Sequence, residues 1–336
     1  MRTLILTLFV LLFVPSLFAQ EQTVGIDPAI IEAYPEPNVE PLYPQDNMLY
    51  DRVYRRVNNS LQMFDNPNGS IVQDMGKGFN FVTLAGVSQP EWEQVTTDRW
   101  MRTTDLSEEV TISRFGGVFF PENPLPYQMA WTLRHLRASS TPGADENPDN
   151  EFMYRYTRVN LYTSVEVDGK LWYQIGVNKW VHQFDVARPL PVERPEGINT
   201  EKWVSVDLYE QSVIAYEGTQ PVFATLISSG LAEWPTNEGL FNVYFRRERT
   251  LMSGAEGLPD FYYLEEVPWT MFFDDDIALH GTYWHDGFGY RRSHGCVNMS
   301  ITDSNWLYRW SSDVRDFNNP DSVDIAVYGY SSGTYD

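Results

Sequence analysis

"EWEQVTTDRWMRTTDL" at residues 91–106 aligns without a gap to "LWYQIGVNKWVHQFDV" at residues 171–186, at a constant offset of 80. Trp92 matches Trp172, Gln94 matches Gln174, Val95 matches Ile175, Trp100 matches Trp180 and Asp105 matches Asp185. Each copy alternates apolar and polar residues, so one face of each strand is turned to a core. Each follows a turn-rich stretch, "FDNPNGS" (64–70) or "VEVDGK" (165–170). Alternation broken by Asn, Asp and Gly predicts hairpins, and a repeat of hairpins predicts two small barrels of short strands. The aromatic content of 15 %, with 22 Gly and 21 Pro, fits a mainly β chain of several small units better than a helical bundle.

The sequence around the two copies resembles bacterial SH3-like domains, over 46–115 and 150–190. Modules of that kind bind cell-wall peptide or glycan, whereas paired Trp residues at strand spacing also serve as core. Outward from the repeat the chain divides further. Residues 1–19 read as a signal peptide: Arg2, an apolar run from Leu4 to Val14 broken only by Thr7, and a cleavage point after Ala19. Export to the cell wall or another extracytoplasmic site follows, with membrane attachment only if that segment is retained. Residues 20–45 alternate Pro28, Pro35, Pro37, Pro41 and Pro44 with acidic side chains and predict an extended tether. Residues 116–149 form a connecting segment ending in the breaker-rich "STPGADENPDNEF" (140–152), and 191–200 a Pro-rich linker. A last domain spans 201–330.

Net charge is −22, from 24 Lys and Arg against 46 Asp and Glu. Phosphate contacts need clustered cations, so nucleic acid is excluded as a partner class. Electrostatic attachment to an anionic surface is disfavoured for the same reason.

The last domain opens with "KWVSVDLYEQSVIAYEGTQPVFATLISSG" (202–230), whose alternation predicts a meander of half-buried antiparallel strands. It also holds the only cysteine of the chain, in "YRRSHGCVNMS" (290–300). In an exported chain an unpaired thiol is inert and buried, an intermolecular link, a metal ligand or a nucleophile. Three of the five histidines, His280, His285 and His294, lie within fifteen residues of sequence just before it. A thiol with an imidazole in reach is the minimum for forming a thioester from an amide. Gly295 suits a tight turn that aims N–H groups at a developing oxyanion. "SITDSNWLYRW" (300–310) predicts a capped helix with Trp306, Leu307 and Trp310 on one face, which would set Cys296 just before a helix N-terminus.

"LHGTYWHDGFGYRRSHGCVN" (279–298) resembles the signature of the L,D-transpeptidase (YkuD-type) catalytic domain, and upstream of it "ISSG", "PTNEGLFNVYF" and "LMSG" fall in that domain's order. The resemblance spans about 200–330 and implies a β-sandwich-like fold with a short helix after the cysteine. It implies Cys296 as nucleophile, His280 as proton acceptor and donor oriented near Gly281, and His294 as a second imidazole beside the thiol. It further implies Gly295 and Cys296 as oxyanion donors, Ser293 as a loop residue, and Asn298, Gly281, Arg292, Tyr283 and Met252 as substrate contacts. The implied reaction takes a peptidoglycan tetrapeptide stem as donor, releases D-alanine through a thioester and cross-links a second stem, with neither cofactor nor metal. If water is the acceptor, the same site is an L,D-carboxypeptidase.

Two other classes compete. A zinc site could draw on His280, His285, His294 and Cys296, although His285 has no place in the signature and reads as a surface residue. A non-catalytic wall-binding protein would use the SH3-like modules alone, against which the intact Cys296, His280 and His294 speak.

Overall fold

A computed structural model describes residues 25–96, 98–312 and 325–334. The expected signal segment lies outside the described residues. The fold is mainly β, 44 % strand and 9 % helix. Among the described residues no helix is long and apolar enough to cross a membrane.

The repeat is structural as well as sequential. Trp92–Thr96 pairs with Arg99–Arg102, and Lys170–Gly176 with Lys179–His182. Trp92 faces Arg102 as Trp172 faces His182, and the register slips between Gln94 and Thr96 as it does between Gln174 and Gly176. A 3-10 turn follows each hairpin, Thr103–Asp105 or Gln183–Asp185, and leads into the next strand, Leu106–Glu109 or Val186–Ala187. In each module a central strand takes that strand on one side and an earlier one on the other. Tyr54–Val57 lies between Phe79–Thr83 and Leu106–Glu109, and Gln128–Thr132 lies between Arg158–Leu161 and Val186–Ala187. Closed SH3-like barrels do not form: no sheet of the described residues closes on itself. The outer strand of the first module is instead taken into a larger sheet, as described next. The second module draws its central strand from the expected connecting segment.

The last domain is a sandwich of two seven-stranded sheets. One runs Glu40–Pro41, Val118–Phe119, Gln220–Leu226, Ser212–Glu217, Lys202–Asp207, Ala326–Tyr330, Gly239–Asn242. The other contains Val297–Met299, Ile277–Gly281, Tyr262–Asp274 and Phe245–Gly254, and continues without a break into Phe79–Thr83, Tyr54–Val57 and Leu106–Glu109. The junction is a parallel ladder of Tyr262, Tyr263 and Leu264 on Phe79, Asn80 and Phe81. Val206, Val213 and Phe223 of the first sheet meet Met271, Leu279 and Val297 of the second in one buried core. The opposite face of the first sheet carries Trp203, Ile214 and Tyr216, which bury Met129 and Trp131 of the second module. Strand Lys202–Asp207 is therefore covered on both faces, and its run of buried residues reflects that.

The described part of the expected tether, from Gly25 onward, is not a free extended chain. Asp27 caps a short helix, Pro28–Ala33, whose first residue is a proline with φ already suited to it. The Tyr34 carbonyl accepts from Asn160 Nδ2 at 2.9 Å and from the Tyr162 hydroxyl, and Glu40–Pro41 extends the first sheet at its edge. Counting Pro and acid missed Ile31, which is buried, and Leu42, which packs on the core. The 191–200 linker is also laid down on the domain, with Ile198 buried and Val192 N–H donating to the Tyr216 hydroxyl at 2.9 Å.

Candidate active site

Cys296 ends a loop that its own polar groups hold rigid. Ser293 Oγ donates to the Cys296 carbonyl at 2.5 Å and accepts from Gly295 N–H at 3.2 Å. Thr236 Oγ1 donates to the Gly295 carbonyl at 2.6 Å and accepts from Gly230 N–H at 2.9 Å. Gly295 has φ +114°, a conformation open to glycine at little cost. The loop is backed by residues 227–230: Leu231 N–H donates to the Ser293 carbonyl, and Ser228 and Asn298 exchange both backbone bonds, each at 2.9 Å.

Beyond the thiol the chain enters strand Val297–Met299, parallel to Ile277–Gly281, with His280 opposite Asn298. That strand separates Cys296 from helix Ile301–Trp310, so the thiol does not lie at the helix N-terminus as the sequence suggested. Ser300 caps the helix by accepting from Asp303 N–H at 3.0 Å. The Asp303 carboxyl accepts from Gly117 N–H at 2.8 Å and the Thr225 hydroxyl at 2.6 Å, and burial raises its pKa to about 6.

His280 is 2 % exposed, and burial lowers its pKa to about 4 against the weaker upward pull of the Gly281 carbonyl. Its Nδ1 lies 3.0 Å from that carbonyl, which can only accept, so Nδ1 carries the proton and Nε2 the lone pair. Gly281 is required because a Cβ there would stand 2.5 Å from Ser304 Oγ. Burial also pushes the Cys296 thiol up to about 11; a backbone hydrogen bond from Ala278 pulls it down and Asp276 raises it further. Burial thus favours the neutral form of both the thiol and the imidazole.

Cys296, His280, Ser293, His294, Arg292, Asn298 and Met252 line one cavity of about 390 Å³. Trp284 and Phe79, which the sequence did not single out, line it too, and the Trp284 ring lies 5.7 Å from that of His280. Three expectations change, those for Tyr283, Gly295 and His285. Tyr283 is fully buried, stacked on Tyr54 at 3.6 Å with its hydroxyl on the Glu265 carbonyl at 2.7 Å, and is core rather than a substrate contact. The Gly295 N–H is engaged by Ser293 Oγ rather than free for an oxyanion. His294 is exposed, its ring between Trp234 at 4.2 Å and Tyr262 at 5.2 Å. His285 is half-buried rather than on the surface: Gly287 N–H donates to Nδ1 at 3.1 Å, so Nε2 holds the proton. Asn298 Nδ2 lies 3.1 Å from that Nε2, and turning the amide over brings its carbonyl oxygen to the ring as acceptor. His285 thus orients Asn298, and burial followed by Arg292 lowers its pKa to about 3. Among the described residues no group of three or more His, Cys, Asp or Glu is placed to hold a metal ion.

The YkuD family model, the L,D-transpeptidase catalytic domain, matches residues 201–325. Over 137 residues, 37 % of this chain and 68 % of the relative, the sequence is 27 % identical to YciB of Bacillus subtilis (strain 168), an L,D-transpeptidase by assignment. Among solved structures, an Enterococcus faecium L,D-transpeptidase is 23 % identical with a TM-score of 0.32, and the match spans 39 % of this chain and half of that one. The L,D-transpeptidase of Stackebrandtia nassauensis is 25 % identical with a TM-score of 0.31, over 43 % of this chain and 60 % of that one.

Proposed function

We propose that this protein is a cysteine L,D-transpeptidase that takes peptidoglycan tetrapeptide stems as acyl donors. The observation that carries the reading is that Cys296 and His280 line one cavity, with His280 Nδ1 tied to the Gly281 carbonyl and Nε2 left as a base. The match of residues 201–325 to the catalytic-domain family supports the substrate class.

In the first half-reaction Cys296 Sγ attacks the carbonyl that joins the L-centre of the diamino acid to D-alanine. Because the thiol rests protonated, its proton passes to His280 Nε2 as the S–C bond forms. The C–N bond then breaks, His280 returns the proton to the departing amine, and D-alanine leaves a thioester. In the second half-reaction an acceptor amine attacks the thioester and its proton passes through His280 to the sulfur. Water in place of the amine gives the carboxypeptidase outcome. With the Gly295 N–H engaged, the Cys296 N–H is the oxyanion donor that remains of the expected pair. His294, on the cavity's exposed side, and Arg292 bind substrate. The apolar run at 4–14 supports export to the wall, and the second repeated module, 150–190, is assigned to wall contact.

The test is incubation of the full chain with a disaccharide-tetrapeptide, following free D-alanine and cross-linked dimer together. Both appearing supports transpeptidation, and D-alanine without dimer supports hydrolysis. Neither appearing from folded, reduced protein contradicts the reading.

A further inference from the structure

The catalytic cavity has a wall that comes from outside the 201–325 domain. Phe79 belongs to the first repeated module, yet it lines the same cavity as Met252, Tyr262, Cys296 and His280. Three observations fix it there. Its N–H donates to the Phe261 carbonyl at 2.9 Å, and the parallel ladder runs Phe79 on Tyr262, Asn80 on Tyr263 and Phe81 on Leu264. Residue 78 is glycine, and a Cβ at that place would stand 2.4 Å from the Phe261 oxygen. The ring is held edge-on against Phe81 at 4.9 Å while remaining 40 % exposed. Phe81, not Phe79, fills the core with Tyr283.

An aromatic face held rigid on a cavity and not consumed by the core offers apolar contact area at little ordering cost. The same cavity carries carboxylates from Asp260 and Asp276 and a guanidinium from Arg292, so it suits a peptide with an aliphatic body and both charge signs. We infer that residues 46–115 are part of the substrate site rather than an appended anchor, and that Phe79 sets specificity by contacting the methyl and methylene groups of the stem peptide. The inference rests on the acyl-transfer reading for the identity of that peptide.

The test uses the full chain carrying Cys296→Ser, which retains the cavity without turnover, titrated calorimetrically with the disaccharide-tetrapeptide. Adding Phe79→Ala weakens binding about tenfold, Phe79→Leu less than about threefold, and melting temperature reports that each variant is folded. Ile71→Ala, exposed on the same module and outside the cavity, leaves binding unchanged. Equal binding with and without the Phe79 ring, equal weakening by Ile71→Ala, or no binding by the Cys296→Ser chain overturns the inference. D-alanine release is measured in parallel on the chain with its cysteine. Ring-dependent binding without release breaks the acyl-transfer reading and leaves the Phe79 contact standing.

Discussion

Phe79–Thr83 and Arg158–Leu161 occupy the same place in the two repeated modules and meet different partners. The offset of 80 extends to them, matching Asn80 to Asn160 and Phe81 to Leu161. In the first module the free edge of this strand is taken by Tyr262–Leu264, which extends the sheet into the catalytic domain. In the second module no strand among the described residues joins that edge. The Asn160 amide and the Tyr162 hydroxyl instead reach the Tyr34 carbonyl, and the module packs through Trp131 and Met129 onto a sheet face. At the first junction Gly78 admits the Phe261 carbonyl; the matching residue of the second module is Arg158. One hairpin design has thus been joined to the catalytic domain along an edge and, in its second copy, through a face. Among the described residues, only the edge junction delivers a side chain to the cavity.

That contrast can be broken in order of effect. His280→Ala sets the scale of full loss: D-alanine release falls by about a thousandfold with the fold retained. If a thiol without its imidazole turns over nearly as well, the cavity is misassigned and neither junction bears on catalysis. Gly78→Val comes next. Crowding the Phe261 carbonyl destabilises the chain by about 1–3 kcal/mol in urea and lowers kcat/KM for the tetrapeptide. Arg158→Val at the matching place changes stability by less than about 0.5 kcal/mol and leaves turnover alone. Equal effects of the two would erase the distinction between edge and face. Tyr162→Phe removes one hydrogen bond to Tyr34 and costs about 1 kcal/mol without touching turnover.

A pH titration of stability sharpens the same junction. Glu265 is 6 % exposed and accepts from Thr83 N–H at 2.8 Å across the first junction, and burial raises its pKa to about 7. A carboxyl raised above its ordinary value binds its proton more tightly in the folded chain. Its contribution is complete below the ordinary carboxylate range and is lost as pH rises toward 7. Glu265→Gln keeps an acceptor for Thr83 and should flatten the urea-midpoint profile between about pH 4.5 and 7. An unchanged slope would place that dependence on other groups.

The site was legible where its chemistry is local. Ser293, His294, Gly295 and Cys296 sit in one short motif, and His280 precedes it on the neighbouring strand, so the residue types point to thiol chemistry before any fold is known. Phe79 was not legible, because its place depends on a parallel ladder between segments far apart in sequence, and only the glycine before it hints at close approach. Tyr283 was misread for a related reason: it lies between His280 and Cys296 in sequence, while Tyr54, on which it stacks, lies in the first module. The hairpins of the repeat could be read because they are set by neighbours along the chain. Barrel closure was overread, since a strand edge pairs with whatever reaches it. The tether failed because Pro and acid describe solvation, whereas Ile31 and Leu42 decide where residues 25–45 dock.

The central claim is that Cys296 becomes acylated. Intact mass spectrometry of the full, reduced chain after exposure to a carbapenem or to the disaccharide-tetrapeptide tests it directly, with Cys296→Ala as control. The account predicts one acyl adduct on the parent chain and none on the variant. An unmodified parent, folded and with its thiol reduced, or an adduct that persists in Cys296→Ala, would contradict it.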